Sequence, residues 1–432
     1  MTIDRGYLEI CKTLAPGAFT RNLPFTPQVC FIDGQLKLLC PDFIKDWPTY
    51  LRVQFVNPIN RLFEMGASSV VLSFDYYPLV PLAKAPTQKK RTVKVPKVPW
   101  DQRQELPSTL PPNFPQLLMN RVFKSKVCQL VVSQISSLVE LGNGRRLIVD
   151  YDDFPLEFTA CDMEPTPQTG YKKTGESDTK FVQYLHPGQP FLADSVDGDY
   201  VVIAMVQVAK ALAANETPPR IMVRRIEIKT AGQKRMRGGV AIEESTRRQY
   251  EIVDINAVVD ALIREIRNKV ANPKTGLEIP IFSYLVALTG CDFCAGIPRV
   301  GPNTVWKNLR KIWGPLQDAY DTTLGEFNVR KVADKVVAPL LHGVYKKHAT
   351  SVSGQDITRL LRAIGESKEL SDKARTELAT VSDIACIVRN SNWTLHYWHD
   401  APTTPCSTQS AYGFAVKKNG DVERDTQAVL GV

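Results

Sequence analysis

The sequence predicts an α/β protein with a mainly parallel central sheet, followed by a mostly helical region. Short apolar runs bounded by turn residues, Val29 to Ile32, Val70 to Phe74, Arg146 to Val149 and Tyr200 to Ala204, read as buried strands. Longer segments with helical periodicity lie between them, and strands alternating with helices build parallel sheets.

The elements follow in chain order. Pro and Lys crowd the interval 78–115, which includes KKRTVKVPKVPW and LPSTLPPNFP. That composition suits neither a central strand nor a regular helix, so a long mobile loop over one edge of the sheet is expected. Phe114 to Leu141 then reads as one amphipathic helix opened by Pro115. A basic insert, RIMVRRIEIKTAGQKRMRGG from Arg220, predicts a strand and a flexible turn; its charge suits either a nucleic-acid contact or a solvated hairpin. After Asp254, the spacing of Ile255, Val258, Val259, Leu262, Ile263 and Ile266 is helical, and helical pattern dominates to about Asp400. Asn419 and Gly420, inside AYGFAVKKNGDVER, signal a hairpin near the end.

Composition narrows the function. With 432 residues, 44% of them hydrophobic, the chain can bury a sizeable core as one large domain or two smaller ones, which excludes a disordered protein. The 54 basic residues outnumber 45 acidic ones, giving a net charge of +9 that favours a polyanionic partner, nucleic acid first. Met1 to Asn22 carries Asp4, Arg5, Glu9 and Lys12 and does not read as a signal peptide, and no run is long and apolar enough to span a membrane. Nine scattered cysteines make no disulfide framework, as expected of an intracellular protein with reduced thiols. Cys291 and Cys294 form a CxxC pair, but no second pair stands at zinc spacing.

Carboxylates recur where strands end. FIDG places Asp33 after one apolar run, SFDYYP places Asp75 after the next, and SVDGDYVVIA sets Asp197 and Asp199 before or at the start of another. Glu176 and Asp178 open a helix in TGESDTKFVQYL, and Asp292 lies in LTGCDFCAGIPRVGP. In an open α/β sheet the carboxyl edge of the strands is where sites assemble. Seven acids on one edge would repel one another unless hard cations such as Mg²⁺ or Mn²⁺ neutralised them. Taken singly, each Asp is as well explained as a turn or cap residue; the weight lies in their joint order.

That order, FIDG, SFD, GESDTKFVQYL, SVDGDY and LTGCDFCAGIPRVGP, resembles the metal-dependent 5′ nucleases of the flap endonuclease (XPG-like) superfamily, from Val29 to Leu309. Gly290, Cys291, Asp292 and Phe293 are similar to the family's Gly-Cys-Asp-Tyr segment. The resemblance implies a PIN-like 5′ nuclease core over 1–284, a helix-turn-helix duplex-binding region over 285–338 and a helical region over 339–432 that ends in the hairpin. It implies two Mg²⁺ ions, with Mn²⁺ as the alternative, and DNA with 5′ flaps, nicks or ends as the partner. By that likeness Asp75, Glu176, Asp178 and Asp197 touch metal, while Asp33, Asp199 and Asp292 act partly through water. Lys84 and Arg91 stand seven apart like the family's catalytic lysine and arginine, though displaced by two positions; a solvated basic run explains them equally well. IPRVGPNTV resembles the loop that grips the duplex backbone. Gly296, Arg299, Gly301, Asn303, Lys307, Arg310 and Lys311 are the DNA-binding candidates, the loop through its backbone amides. Trp100, Tyr76 and Tyr77 suit base stacking or, more simply, packing.

Departures from the family are also visible. The chain begins MTIDRGYLEI rather than Met-Gly-Ile, the arch region is proline-rich, and QAVLGV at 427–432 is no clear sliding-clamp box. Such drift suits a divergent copy carried by a large DNA virus, with the nucleus, a viral replication compartment or the virion as location. Two alternatives stay open: a 5′→3′ exoribonuclease, which Thr179 and Lys180 favour, and a catalytically silent nucleic-acid-binding structural or virion protein.

Overall fold

The structure, a computed structural model, describes residues 5–39, 44–75, 98, 100–101, 103–151, 155–160, 165–170, 176–227, 249–291, 294, 296–348, 356–367, 370–372, 384–400, 414–416 and 422–424. Strands β1 (Phe19–Thr20), β2 (Val29–Asp33), β3 (Ser69–Ser73), β4 (Arg146–Asp150), β5 (Leu156–Thr159), β6 (Thr166–Pro167), β7 (Pro190–Asp194), β8 (Arg220–Glu227) and β9 (Gln249–Asp254) form one sheet. Its order is β1-β9-β8-β7-β2-β3-β4-β5-β6. The central run from β8 to β4 is parallel, and antiparallel strands flank it on both sides.

Every residue of β2 and β3 is buried because both faces of the sheet are covered. Alternation sorts their side chains between two cores. Val29, Phe31, Val71 and Ile148 join one with helices Arg5–Leu14, Asp199–Ala213, Ile255–Lys269 and Glu278–Thr289. Cys30, Ile32, Val70, Leu72 and Leu147 face the other, built on Trp47–Leu51, Asn57–Glu64 and Arg121–Leu138. The first core continues without a break into the C-terminal helices, ending at Trp398. No helix among the described residues is long and apolar enough to cross a membrane.

Three expectations are corrected. Tyr200 to Ala204 is not a strand but part of helix Asp199–Ala213. That helix is enclosed by the sheet side and by helices Glu278–Thr289 and Ile384–Asp400, so ten consecutive residues from Asp199 to Val208 are buried and no polar face betrays its period. The strand at this place is β7, so Asp197 and Asp199 follow a strand rather than precede one. Phe114 to Leu141 is not one helix. Phe114–Leu117 stops, and Asn120 starts a new helix, Arg121–Leu138, by accepting hydrogen bonds from the amides of Val122 (2.9 Å) and Phe123 (3.3 Å). The end of the proline-rich interval is tied down: Trp47 Nε1 donates to Pro107 O (2.7 Å), Leu110 N to Lys45 O (3.2 Å), and Leu110 and Phe114 are buried. Trp100 meets Phe123 edge-on at 4.8 Å, so it packs rather than offering a stacking face.

Asp254 caps helix Ile255–Lys269 through the amide of Ala257, as the periodicity implied. Phe414–Val416 and Val422–Arg424 pair antiparallel, as the hairpin signal implied, while Asn419 and Gly420 lie outside the described residues.

Candidate functional site

Parallel strands end on a common edge, so the residues that close β2, β3, β4 and β7 gather there whatever their distance in sequence. Asp33 closes β2, and Asp75 follows the end of β3 by two residues. Gly34 makes the approach of the two strands feasible: a Cβ there would lie 2.6 Å from Phe74 Cε1 and 2.7 Å from Ser73 O.

A chain of hydrogen bonds runs along this edge. Asp33 accepts from Gln35 N (3.0 Å), capping the short helix Gly34–Lys37, and from Ser195 Oγ (3.1 Å). Asp197 N donates to Ser195 Oγ (3.2 Å), and Asp199 N to Asp197 Oδ1 (3.2 Å). On the other side Ser177 N donates to Asp75 Oδ1 (3.0 Å), and the Ser177 hydroxyl bonds the Tyr200 hydroxyl (3.2 Å). Ser177 opens the turn of helix Ser177–Lys180, whose acids Glu176 and Asp178 are buried. Six of the seven predicted acids therefore lie on described segments of this edge; Asp292, Lys84 and Arg91 lie outside the described residues.

The acids share an electrostatic neighbourhood. Burial, and then the charges of Asp75 and Asp197, push the Asp33 carboxyl up to about 7 against the ordering effect of Ser195 and Gln35. Burial together with the charges of Asp33, Asp178 and Asp75 holds the Tyr200 hydroxyl well above its ordinary range, so this phenol stays protonated among carboxylates.

The pH dependence follows. Because the folded carboxyl of Asp33 titrates near 7 rather than 3.8, its contribution to stability is full below about pH 4 and is lost as pH rises through about 7. In EDTA, Asp33→Asn, which keeps the helix cap, should be more stable than the parent at pH 8 by on the order of a few kcal/mol. The gap should close toward pH 4. Urea denaturation at both pH values reads this, and an equal gap at both would refute it.

Two further strand-terminal acids were not singled out in the sequence, and both have internal cations. Asp150, at the end of β4, is paired with buried Lys180 (2.7 Å) and accepts from the Tyr184 hydroxyl (2.8 Å). Asp194, at the end of β7, meets Arg224 (2.6 Å) and Lys37 (3.2 Å). Burial alone would raise the Asp194 carboxyl, but the Arg224 hydrogen bonds and charge, with Lys37, bring it below the usual range. The signal was available: RLIVD and PFLAD end in aspartate just as VCFID does.

The donor set is all carboxylate, which suits a hard divalent cation, and the mutual repulsion felt by Asp33 is what such a cation would relieve. Among the described residues, however, no group of three or more His, Cys, Asp or Glu side chains converges on one metal position. The fit is thus one of chemistry and neighbourhood.

The second candidate region begins where helix Glu278–Thr289 ends at Gly290, with φ 116°. The chain then turns back so tightly that a Cβ on Gly296 would fall 1.9 Å from Thr289 O. Ile297 N donates to Leu288 O (3.1 Å) and Val300 N to Ile297 O (3.2 Å), so these two loop amides serve the fold and are withdrawn from the phosphate-cradling role expected of them. Arg299 stands at φ 60°, exposed, with its guanidinium 5.6 Å from the Tyr345 ring centre. Gly301 precedes helix Pro302–Lys307, and Asn303, Lys307, Arg310 and Lys311 are exposed on this helix and on Leu309–Ala319. Arg310 Nε donates to Lys269 O (2.8 Å), tying the second helix to the end of Ile255–Lys269. Cys291 and Cys294 are buried, with Cys294 Sγ 3.5 Å from Ile387 O, so the thiols belong to the core.

Fold and site together define a mixed α/β protein with an acidic edge at the ends of its parallel strands. No family model matches the chain, and no curated protein matches it. Among solved structures, the chain is similar to the catalytic core of Rad2 in complex with DNA substrate, with a TM-score of 0.36 and 13% identity, covering 91% of this chain and 88% of that one.

Proposed function

We propose that the chain is a divalent-metal-dependent DNA 5′ nuclease that hydrolyses phosphodiester bonds at 5′ flaps, nicks or ends during replication, repair or recombination. The observation that carries this reading is the gathering of acids from separate segments on one edge: Asp33 and the Asp197 amide meet on the Ser195 hydroxyl, and Asp75 accepts from Ser177 N between buried Glu176 and Asp178, an arrangement of no use to a surface that only binds a polyanion. In this reading Asp75, Glu176, Asp178 and Asp197 hold two Mg²⁺, or Mn²⁺, with Asp33, Asp199 and Asp292 supporting them partly through water. The ions, when bound, supply the positive charge and the acidified water that phosphodiester hydrolysis needs.

The remaining work falls to the chain itself. Ser195 and Gln35 N orient Asp33, and Ser177 N orients Asp75. Lys84 and Arg91 hold the scissile phosphate. The loop from Gly296 to Gly301, with Arg299, Asn303, Lys307, Arg310 and Lys311, holds the duplex backbone without reading its sequence. Functionally we assign the nuclease core to 1–284, duplex binding to 285–338 and support to 339–432, although helix Glu278–Thr289 and the first core run across these divisions.

The test is cleavage of an end-labelled 5′ flap with Mg²⁺ and with EDTA, beside a single-stranded RNA competitor. Magnesium-dependent release of the flap is expected; preferential loss of the RNA would instead assign the exoribonuclease activity, and no cutting of either would leave a binding protein. In the same system binding should weaken steeply with salt. Lys307→Ala/Lys311→Ala should lower the salt slope by about two if both side chains meet phosphate. An unchanged slope would remove these lysines from the interface.

A further inference from the structure

Lys180 is a buried cation that the nuclease reading does not use. Its side chain is 2% exposed, and its three ammonium protons have three acceptors: Asp150 Oδ1 (2.7 Å), Phe74 O (2.8 Å) and Asp150 O (3.3 Å). Phe74 immediately precedes Asp75, and Asp75 in turn accepts from Ser177 N, three residues before Lys180. The two contacts close a ring: segment 74–75 is tied to segment 177–180 once through Lys180 and once through Ser177. Phe74 N also donates to Asp150 O (2.9 Å), which fixes the exit of β3 against the end of β4. Asp75 is carried by one of the two tied segments, and Asp178, with Glu176 beside it, by the other.

We propose that Lys180 is a positioning residue, setting the separation between Asp75 and the Glu176–Asp178 pair and hence the affinity of the edge for a divalent cation. A buried ion pair is weak evidence for stability, since apolar pairs of similar volume often serve as well. What an apolar pair could not reproduce is the convergence of one cation on two strand ends and the helix that carries the acids. Arginine could not reproduce it either, because its donors lie in a rigid plane.

The inference rests on the metal reading above, and the experiment separates the two. Mn²⁺ binding is measured by titration calorimetry on the full chain for the parent, Asp150→Asn/Lys180→Met and Lys180→Arg, with thermal unfolding of each in EDTA. The double variant leaves no buried charge without its partner. It should unfold close to the parent temperature yet bind Mn²⁺ about ten to a hundredfold more weakly. Lys180→Arg, which keeps the charge, should show a similar loss. Parental Mn²⁺ affinity in either folded variant overturns the positioning role alone. Absence of Mn²⁺ binding by the parent overturns the metal reading and this inference with it.

Discussion

Asp178→Asn should reduce flap cleavage by at least about a hundredfold while leaving duplex affinity within a few fold of the parent. Asp178 is buried on the turn Ser177–Lys180, and its charge reaches the Tyr200 hydroxyl together with those of Asp33 and Asp75. The amide has the shape of the carboxylate but not its charge, so packing is kept and a hard oxygen ligand is weakened. Binding should hold because the proposed duplex contacts, from Arg299 to Lys311, belong to another part of the chain. Removing one negative charge from the acidic edge should ease approach of the phosphates. Single-turnover cleavage in Mg²⁺ and anisotropy in Ca²⁺ give the two numbers. Cleavage within tenfold of the parent would take Asp178 out of the proposed metal-binding set.

Gly296→Ala should cost about 3 kcal/mol or more and weaken duplex binding at least tenfold. The new Cβ would meet Thr289 O at 1.9 Å, Thr289 C at 2.2 Å and Gly290 N at 2.6 Å, and all three are backbone atoms that cannot swing aside. The loop must therefore move off the end of helix Glu278–Thr289, breaking the Ile297 to Leu288 hydrogen bond. Gly343→Ala is the matched control. Gly343 is exposed within helix Ala338–Val344 with nothing within 4 Å of its Cβ position, so alanine there should be neutral or stabilising by up to about 1 kcal/mol. Chemical denaturation and anisotropy check both, and an equal, small effect at the two glycines would show that the loop has another conformation in solution.

The fold class and three of the central strands were legible because a parallel strand buried on both faces leaves an unbroken apolar run, and β2, β3 and β4 each have one. Asp33 and Asp75 stood out for the same reason: a charge ending such a run is conspicuous. Helix Asp199–Ala213 defeated the reading because burial on all sides erases the pattern that distinguishes a helix from a strand. Lys180 hid for a different reason. Lysine is ordinarily a surface residue, and only the approach of β4, thirty residues upstream at Asp150, makes its burial intelligible. The loop after Gly290 was recognisable from its glycines, yet the loss of two amides to internal carbonyls depends on a turn that no local rule specifies.

Helix Asp199–Ala213 bears on how this protein can be cut for study. One end carries Asp199 at the acidic edge; midway along, Gln207 Nε2 donates to the carbonyls of Trp398 (3.0 Å) and His399 (3.1 Å) in the last turn of helix Ile384–Asp400. A fragment ending at 338 would uncover the flank of the helix that carries Asp199 and leave Gln207 without those acceptors. The shortest fragment that preserves the acidic edge therefore extends through residue 400, and any trimming for crystallisation belongs beyond it.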